Sequence, residues 1–426
     1  MRNRPLTRIH PAFAVASVAF LALIAAAAFR STTSVFFEPL EADFGWTRAD
    51  TSTAVSVNLL LYGLSAPFAA VLMERFSVKR VAAIALLLIG SGSLLTVYMT
   101  EVWHLVVLWG IFVGLGTGGL ALVFGSLVAN RWFVKRRGLV TGIFSAAYAT
   151  GQLVFLPLLA QIVMDFGWRT GSLVVAAAVA VILPIFLMIF RDRPNDIGVE
   201  PYGNTPDAQP YGESPRTISS TFTVLFQAAR TKQFWVLAMT FFVCGWTTNG
   251  LIGAHFIPAA HDHGMPATTA ASLLALVGIF DFVGTILSGW LTDKVDSRIL
   301  LVIYYGFRGL ALFSVPFVLA PTIEPPLLFF VVFYGLDWIA TVPPTIELVR
   351  RYFGLAEAGI VWGWIFANHM IGAGIAAIYA GLIREIQGSY VIAWVTAAVL
   401  CLVAAAAFLL IRKDDLREGS VLTRGF

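Results

Sequence analysis

The sequence predicts an all-α membrane protein in which twelve transmembrane helices form two six-helix bundles. Three observations predict this class: the apolar composition, the number of long apolar stretches, and a charged motif that recurs half a chain later. Hydrophobic residues make up 58% of the 426 residues, charged residues only 12%, and the mean hydropathy is +0.83. Soluble domains carry about 25% charged residues. A chain this apolar needs lipid around it rather than water.

Twelve stretches are long enough to cross a bilayer, which takes roughly 20 predominantly apolar residues. They cover residues 11–37, 50–73, 80–99, 103–130, 138–163, 168–190, 232–258, 268–292, 298–320, 325–349, 357–383 and 389–411. The first stretch follows three arginines, as in a secretory signal. It is too long for a signal and eleven more follow, so we expect an uncleaved first helix.

The basic residues predict the orientation of these helices. With the N-terminus placed inside, 23 of the 28 Lys and Arg fall on the inner side. Only Arg48, Arg169 and Arg384 fall in outer loops, and Arg30 and Arg308 lie within spans. The positive-inside rule then predicts a bacterial-type inner membrane protein with both termini in the cytoplasm. The net charge of +4 fits contact with anionic lipid and not with nucleic acid.

A polar linker divides the chain at residues 191–231, where Gly, Pro, Ser and Asn replace the apolar pattern. We expect an N-terminal bundle over 1–190 and a C-terminal bundle with a short cytoplasmic tail over 232–426. The two cysteines, Cys244 and Cys401, both fall inside spans and indicate packing residues, not a disulfide or a metal site. No metal or cofactor is expected.

The charged motif occurs after the second and the eighth predicted spans. It reads A-V-L-M-E-R-F-S-V-K-R from residue 70 and G-W-L-T-D-K-V-D-S-R from residue 289, 219 residues later. A repeat at half the chain length in an apolar protein indicates two similar bundles joined in the middle. Duplicated bundles are typical of transporters.

Both copies resemble the signature of the major facilitator superfamily, G-x-x-x-D-R/K-x-G-x-R/K-R/K. Twelve spans, the central linker and both motifs agree with that resemblance over nearly the whole chain. It implies the major facilitator fold. It also implies a cytoplasmic gate whose contacts break when the inside opens, while simple topology-setting charge is the alternative. The implied gating residues are Glu74, Arg75, Asp293 and Lys294.

Three further segments are similar to the monocarboxylate-transporter-like and oxalate–formate-antiporter-like branch, which implies a small organic anion as substrate. They are residues 41–48 (EADFGWTR), 130–142 (NRWFVKRRGLVTG) and 193–198 (RPNDIG). The chain departs from the branch at two positions. Animal monocarboxylate carriers have an Arg four places after an eighth-span Asp, whereas Asp281 is followed there by Thr285. Oxalate–formate antiporters have an eleventh-span Lys where this chain offers His369.

Few ionisable side chains lie inside the predicted spans, where a central charge costs roughly 2.5 to 3.5 kcal/mol on insertion scales. Such residues should be paired or should face a wet cavity. They are Arg30, His255, Asp281, Arg308, Asp337 and His369. The resemblance implies a cavity lined by spans 1, 4, 7 and 10, helped by 2, 5, 8 and 11. Asp337 should then face it, and Asp281 and His369 can.

Four of these residues form the predicted proton-coupling set: Asp281, Arg308, Asp337 and His369. We expect Arg308 to form a buried pair with Asp337 or Asp281 that protonation can break. A static pair that only holds helices together is the alternative. Histidine can change charge near physiological pH, so His369 has either a functional or a structural role.

The tenth span carries a polar stripe along one face and two adjacent prolines. The stripe consists of Tyr334, Asp337, Thr341 and Thr345, at helical spacing. Prolines free backbone carbonyls, so Pro343 and Pro344 predict a bend in this helix.

Polar residues elsewhere supply the candidate substrate contacts. An Arg fork binds a carboxylate through two hydrogen bonds, which makes Arg30 the candidate anchor. The alternatives are that it extends outward or pairs with Glu38 or Glu41. The full predicted substrate-binding set is Arg30, Asn58, Tyr62, Tyr148, Gln152, Asn249, Asp337 and His369.

Together these features predict a secondary active transporter, a monomer in the membrane, that moves a small organic anion by alternating access with proton coupling. The alternative is proton-coupled efflux of drugs or other amphipathic compounds. The chain has no Gly-x-x-x-x-Gly-Lys-Ser/Thr segment, which disfavours ATP-driven pumping. It shows no nucleophile elbow or metal-spaced cluster, so we do not expect an enzyme.

Overall fold

The computed structural model describes residues 10–120, 122–204, 218–292 and 294–409. Eleven helices in this part of the chain are long and apolar enough to span a membrane. One of them, Phe155–Ile189, has 35 residues and would be about 50 Å long, too long for one crossing. It contains Gly167, whose φ of 81° and ψ of 164° interrupt the helix. The break divides it into two crossings, which gives the twelve that the sequence predicts.

We number the twelve crossings α1 to α12 in chain order. They are α1 Pro11–Val35, α2 Arg48–Phe76, α3 Val78–Thr96, α4 Val102–Trp132, α5 137–166, α6 168–189, α7 Lys232–Asp262, α8 Ala267–Thr292, α9 Ser297–Val318, α10 Pro325–Gly354, α11 Glu357–Gln387 and α12 Val391–Leu409. Two short helices, Phe37–Phe44 and Ile218–Ala228, precede α2 and α7. The ends of the crossings lie within a few residues of the predicted stretches.

Local sequence signals set several of the helix ends. Thr47 and Asp50 form a reciprocal capping box at the start of α2, and Thr231 caps α7. Proline at the first position, as in Pro325 of α10, fits a site that needs no backbone donor. Gly354, with φ of 75°, makes the turn between α10 and α11, a conformation that residues with a Cβ rarely adopt.

The two halves repeat one pattern of helix pairs. In the first half α2 packs on α4, and Gly90 of α3 meets Val179 of α6. In the second half the equivalent pairs are α8 with α10 and α9 with α12. Between the halves, α2 lies along α11, with Pro67 near Gly363 at one end and Ser52 near Gly381 at the other. This repetition is the physical counterpart of the duplicated motif.

An even number of crossings places the start of α1 and the end of α12 at the same face, which we call the terminal face. The opposite one is the distal face. The basic segments at residues 131–137 and 350–351 lie at the terminal face, at the junction of α4 with α5 and in the last turn of α10. The charge bias of the sequence predicts that the terminal face is cytoplasmic.

Three of the helices depart from regular α geometry. Residues Val106–Val113 of α4 and Trp246–Ile252 of α7 are π-helical. In α10 the helix ends at Asp337 and starts again at Val342, just before Pro343 and Pro344. The bend that the two prolines predict is therefore confirmed, whereas no sequence pattern indicated the π-helical segments. Such segments are frequent at functional sites because they redirect side chains and backbone groups.

Candidate functional site

A cavity of about 440 Å³ lies between the two halves of the described chain. Its wall comes from α1, α2, α4 and α5 of the first half and from α7, α8, α10 and α11 of the second. Within the described residues, α3, α6, α9 and α12 contribute nothing to it. This is the division between lining and peripheral helices that the family resemblance implies.

The cavity extends toward the terminal face. Ser126 near the end of α4, Thr141 near the start of α5 and Trp362 near the start of α11 all line it. These helix ends lie at the terminal face, whereas at the distal face α2, α7 and α12 meet through buried polar contacts. The arrangement is thus closed distally and widest on the terminal side.

Most of the wall is apolar and aromatic. Its rings include those of Phe144, Phe241, Phe282, Trp338, Trp362 and Phe366. Among the lining residues that the structure describes, Asp281 and His369 are the ionisable groups beside Tyr62 and Cys244, and none is Lys or Arg. An apolar pocket with a few polar groups suits a small molecule that has both an apolar part and a hydrogen-bonding part.

The buried cation Arg308 holds the break in α10 from the neighbouring helix α9. Its Nε donates to Asp337 Oδ2 at 2.5 Å, and its Nη2 donates to the backbone oxygens of Asp337 and Trp338 at 2.5 and 3.1 Å. Its Nη1 faces Cys244 Sγ at 3.0 Å, and 1% of the residue is exposed. The pair that the sequence suggested between Arg308 and an aspartate is present, and its partner is Asp337. Arg308 also donates to carbonyls at the break, where the regular helical bonds are interrupted.

Asp281 of α8 holds the other side of the same break. Its Oδ1 accepts the backbone N–H of Ile339 at 2.9 Å and the hydroxyl of Thr285 at 3.1 Å. On the same helix, Ser288 donates to the backbone oxygen of Ala340 at 2.6 Å. Because a break leaves backbone donors and acceptors without helical partners, α8 and α9 together replace the missing bonds. Asp281 also lines the cavity.

The position of Asp337 differs from the expectation that it faces the cavity. Asp337 is absent from the wall, where its neighbours Trp338 and Ile339 stand instead. Arg308 draws its carboxylate toward α9, behind the wall. Its Oδ1 is buried and has no hydrogen-bond partner within the described chain. Of the two aspartates, Asp281 is therefore the one that a molecule in the cavity can contact.

His369 of α11 links two cavity-lining helices. Its Nδ1 lies 3.1 Å from the backbone oxygen of Phe241, and its Nε2 lies 3.1 Å from Nδ2 of Asn249. A carbonyl only accepts, so Nδ1 carries a proton, and Nε2 accepts from the Asn249 amide in the neutral ring. Asn249 lies in the π-helical segment of α7, and both residues line the cavity.

The two polar candidates of α2 have different surroundings. Tyr62 lines the cavity, and its ring meets Phe366 of α11 edge-on at 5.9 Å. Asn58 instead donates to the backbone oxygen of Trp109 at 2.7 Å, in the π-helical segment of α4. It lines a separate small cavity on the distal side together with Asn249. Asn58 therefore lies beside the small distal cavity with its amide donating to the irregular backbone of α4, and its contact with substrate stays a prediction.

Several predicted residues lie outside the part that the structure describes. They are Asp293 and the side chains of Arg30, Tyr148 and Gln152. Position 30 follows Ala26 and Ala27 by about one helical turn in α1, and those two residues line the cavity.

Three predicted gating residues are described, and they lie at the terminal face: Glu74, Arg75 and Lys294. Glu74 is half-buried, whereas Arg75 and Lys294 are exposed. The cations of Arg75 and Lys294 lie over the rings of Phe76 and Trp290, at 5.4 and 3.9 Å from the ring centres.

The sequence did not reveal a further contact beside this motif. Asp192, at the start of the linker, accepts from the backbone N–H of Lys79 at 2.9 Å and from the Ser77 hydroxyl at 2.8 Å. It thereby joins the linker to the start of α3. Asp192 stands in a charged run that the sequence suggests is solvated, so only the fold reveals the contact.

Cys244 also has a different environment from the one predicted. It is buried, as expected, but it lines the cavity and its Sγ lies 3.3 Å from Thr341 Oγ1 as well as near Arg308. The double proline in α10 was the one sequence signal for this cluster. Prolines have no N–H, so they leave backbone carbonyls that need other hydrogen-bond donors.

Comparison with known proteins agrees with this architecture. The fold matches a D-xylose-proton symporter with a TM-score of 0.72 at 14% identity, covering 96% of this chain and 99% of that one. A bacterial homologue of the human lysosomal transporter Spinster also gives 0.72 at 15% identity, covering 96% and 97%.

Curated relatives cover most of the chain. The Bacillus subtilis (strain 168) protein YcxA, an uncharacterised MFS-type transporter, is 24% identical over 365 residues, 85% of each chain. Monocarboxylate transporter 13 of Bos taurus is 24% identical over 379 residues, 88% of this chain and 83% of that protein. Residues 19–377 match the Major Facilitator Superfamily. The predicted superfamily is thereby confirmed, and this chain belongs to the Major Facilitator Superfamily.

Proposed function

We propose that this transporter moves a small organic anion, of the monocarboxylate class, together with protons by alternating access. The bundles at 1–190 and 232–426 would rock about the cavity, with the linker at 191–231 joining them on the cytoplasmic side. The observation that carries this proposal is the titratable carboxylate of Asp281 in the wall of a cavity that both halves enclose. The names of the curated relatives, several of them monocarboxylate transporters, support the choice of substrate class.

Proton coupling would begin at Asp281. As a carboxylate, Asp281 accepts two hydrogen bonds on one oxygen, one of them from the α10 break. A proton on the carboxyl weakens these bonds, because charge-assisted hydrogen bonds are roughly twice as strong as neutral ones. The break would then be free to change shape while Arg308 and Asp337 hold its other side. His369, also in the wall, stays a proposed proton-coupling residue, and it contacts Asn249 and not the break.

Substrate binding would use both the apolar and the hydrogen-bonding groups of the cavity wall. The apolar and aromatic wall suits the carbon skeleton of a monocarboxylate, and Tyr62, Asn249 and His369 can supply hydrogen bonds. Arg30 is proposed as the anchor of the carboxylate, one turn beyond two lining residues of α1. Tyr148 and Gln152 remain proposed contacts from α5.

Uptake into proteoliposomes with an imposed pH gradient tests the proposal. We expect a panel of small monocarboxylates such as lactate and pyruvate to accumulate when the source side is acidic. Asp281→Asn should abolish accumulation but keep exchange of labelled for unlabelled substrate, because asparagine preserves the hydrogen bonds and cannot titrate. Asp337→Asn is the matched comparison. If Asp337→Asn uncouples transport and Asp281→Asn does not, Asp281 is not the coupling carboxylate.

The anchor is tested in the same assay. Arg30→Ala should raise the half-saturating substrate concentration at least about tenfold, since a charged hydrogen-bonded pair contributes about 1.5 to 3 kcal/mol. Arg169→Ala, at an exposed distal position, is the control. Unchanged affinity in Arg30→Ala would remove Arg30 from the site.

Proton-coupled efflux of an amphipathic compound is the second candidate. The observation in its favour is the described wall itself, which has many rings and one carboxylate but no described Lys or Arg. Such a wall also suits an apolar cation. Acid-driven extrusion of a cationic dye, without uptake of any monocarboxylate, would favour this candidate.

A further inference from the structure

The two halves meet at the distal face around the hydroxyl of Tyr390, at the start of α12. Arg48 of α2 donates from Nη1 to this oxygen at 3.0 Å. On the other side, the same oxygen lies 3.0 Å from Nδ1 of His255 in α7. The second ring nitrogen of His255 lies 2.8 Å from the backbone oxygen of Ala377 in α11. One chain of hydrogen bonds thus connects the first half to three helices of the second, α7, α11 and α12.

Donor and acceptor chemistry fixes the direction of every bond in this chain. Arginine only donates and a carbonyl only accepts, so His255 Nε2–H donates to Ala377. Tyr390 accepts from Arg48 and can then give its own proton only to His255 Nδ1. Every group is satisfied when the imidazole is neutral. An imidazolium would have to donate to an oxygen that already accepts from Arg48.

The charged groups around His255 are already paired. Arg48 forms two hydrogen bonds with Glu41 of its own half, one of them between Nη2 and Oε2 at 2.9 Å. Asp262 on α7 pairs with Arg384 on α11 at 2.6 Å. The ring of Phe37 packs on the imidazole from the first half, at 5.3 Å.

Burial adds to the preference for a neutral ring. His255 is 0% exposed and Tyr390 2% exposed. A proton on His255 would thus be placed in a dry site beside the Arg48 guanidinium, with both nearby carboxylates committed elsewhere. Burying a charge without a free partner is strongly unfavourable.

We propose that His255 is a proton-binding site that controls opening of the distal gate. While the distal face is closed, the imidazole is neutral and the chain through Tyr390 holds the halves together. When the halves part, water reaches the ring and it can hold a proton without cost. A proton that binds only the open form shifts the equilibrium toward that form. Acid on the distal side therefore opens the carrier to that side.

This site is distinct from Asp281, which faces the cavity beyond the Asn249–His369 contact. The inference rests on the proposed alternating access, because it needs a distal gate that opens. It does not depend on the substrate, and the test below contains none. A failure to transport monocarboxylates would consequently leave the result of that test unaffected.

A second histidine at the same face also contacts the first half, but in an exposed place. His261 at the end of α7 lies 2.7 Å from Glu38 of the first half, with 43% and 47% of the two side chains exposed. Exposed pairs of this kind add little to stability, so removing this one should leave the acid response in place. His261 provides the matched control for His255.

The test measures the distance across the distal face in liposomes without substrate. Spin labels go on Ala42→Cys and Gln387→Cys, two exposed positions in opposite halves, with Cys244→Ser and Cys401→Ala as background. Distance distributions are recorded at about pH 8 and about pH 5.5, a range that spans histidine titration. We expect the ratio of the long-distance to the short-distance population to rise on acidification, by at most about tenfold per pH unit for one proton.

Three variants decide the assignment. His255→Gln can donate to Ala377 and accept from Tyr390 without titrating, so its ratio should stay constant with pH. His261→Gln should keep the acid response. Tyr390→Phe keeps the ring but severs Arg48 from His255, so its open population should already be raised at about pH 8. If the His255 variant does not fold, the Tyr390→Phe variant tests the proposal instead.

Three results would overturn the proposal. They are an unchanged ratio in the parent protein, a full acid response in His255→Gln, and an unaltered distribution in Tyr390→Phe.

Discussion

Arg308 is the buried cation of α9 that binds the break in α10. A buried ion pair adds little stability by itself, because removing two charges from water costs about as much as their attraction returns. Arg308 makes further contacts besides its ion pair with Asp337. It also donates to the backbone oxygens of Asp337 and Trp338 in the α10 break, and the Asp337 oxygen accepts the N–H of Ala340 as well. Arg308 therefore stabilises the fold mainly through the hydrogen bonds that it donates to buried oxygens of α10.

This argument predicts an unequal pair of substitutions. Arg308→Leu should destabilise the fold by about 3 to 5 kcal/mol, because it leaves a buried carboxylate without its cation and removes a donor from two carbonyls. Asp337→Leu should cost less, since Arg308 keeps its backbone bonds. The double variant should still be less stable than Asp337→Leu alone. Thermal unfolding in detergent measures the series, with exposed Arg230→Leu as control. Equal losses in the two single variants would contradict the argument.

Asp43 gives a prediction about pH at the distal face. The indole N–H of Trp168 and the guanidinium of Arg169 donate to it at 2.9 and 2.7 Å. These hydrogen bonds, Trp168 first, lower the pKa of the Asp43 carboxyl below its ordinary value of 3.8. A carboxyl with a lower pKa in the folded protein stabilises the fold above its unfolded pKa, and that contribution disappears as pH falls through the folded value.

Asp43→Asn should accordingly lower the unfolding temperature at neutral pH, and the difference from the parent should shrink at a pH below 3.8, as the pH falls through the lowered pKa of Asp43. Unfolding temperatures of both proteins at the two pH values provide the check. A difference that persists in acid would show that charge on Asp43 is not its cause.

At the scale of the element, α10 is the helix that is built to bend. Its break is held by α8 through Asp281 and Ser288 and by α9 through Arg308, while Pro343 and Pro344 prevent the regular bonds from forming. The π-helical segment of α7 contacts α10 directly, since the Tyr334 hydroxyl donates to the backbone oxygen of Thr247 at 2.9 Å. Irregular backbone in a membrane is tolerated where it lines a cavity or is enclosed by protein, and both conditions hold here.

Restoring the missing donors should stiffen this element. Pro343→Ala with Pro344→Ala returns two backbone N–H groups that can reach the carbonyls of Ile339 and Ala340. We expect transport to slow at least about tenfold, equal to 1.4 kcal/mol on the barrier, while thermal stability stays equal or rises. Initial uptake rates and unfolding temperatures test this together. Pro316→Ala in peripheral α9 serves as control, and equal slowing there would remove the special role of α10.

At the scale of the whole molecule, the cavity should be reachable from the terminal face alone. A cysteine at Ser126 lines the main cavity, whereas one at Thr33 lines the small distal cavity. In inside-out vesicles of a Cys244→Ser and Cys401→Ala background, a membrane-impermeant maleimide should label Ser126→Cys several times faster than Thr33→Cys. Faster labelling of Thr33→Cys would mean that the cavity or the orientation has been assigned to the wrong side.

Much of this architecture could be predicted because membrane insertion is a local property. Apolar length sets each crossing, prolines mark the α10 bend, and the cost of an isolated charge demands a partner for Arg308. The choice between Asp281 and Asp337 could not be predicted, because it depends on the rotation of α10 relative to α9. The backbone contact of Asn58 could not be predicted either, because the π-helical segment that binds its amide has no sequence signal. The Arg48–Tyr390 contact joins residues 342 positions apart, beyond the reach of any local pattern.

The position of Arg308 in α9 bears on how the protein is made. The same helix presents Phe307, Leu310 and Phe313 outward, so its insertion must carry one guanidinium among lipid-facing side chains. A ribosome delivers α9 before α10, and until Asp337 emerges 29 residues later that cation has no carboxylate. An unpaired central Arg costs roughly 2.5 to 3.5 kcal/mol during insertion. The translocation channel should therefore retain α9 and release it into the bilayer as a hairpin with α10.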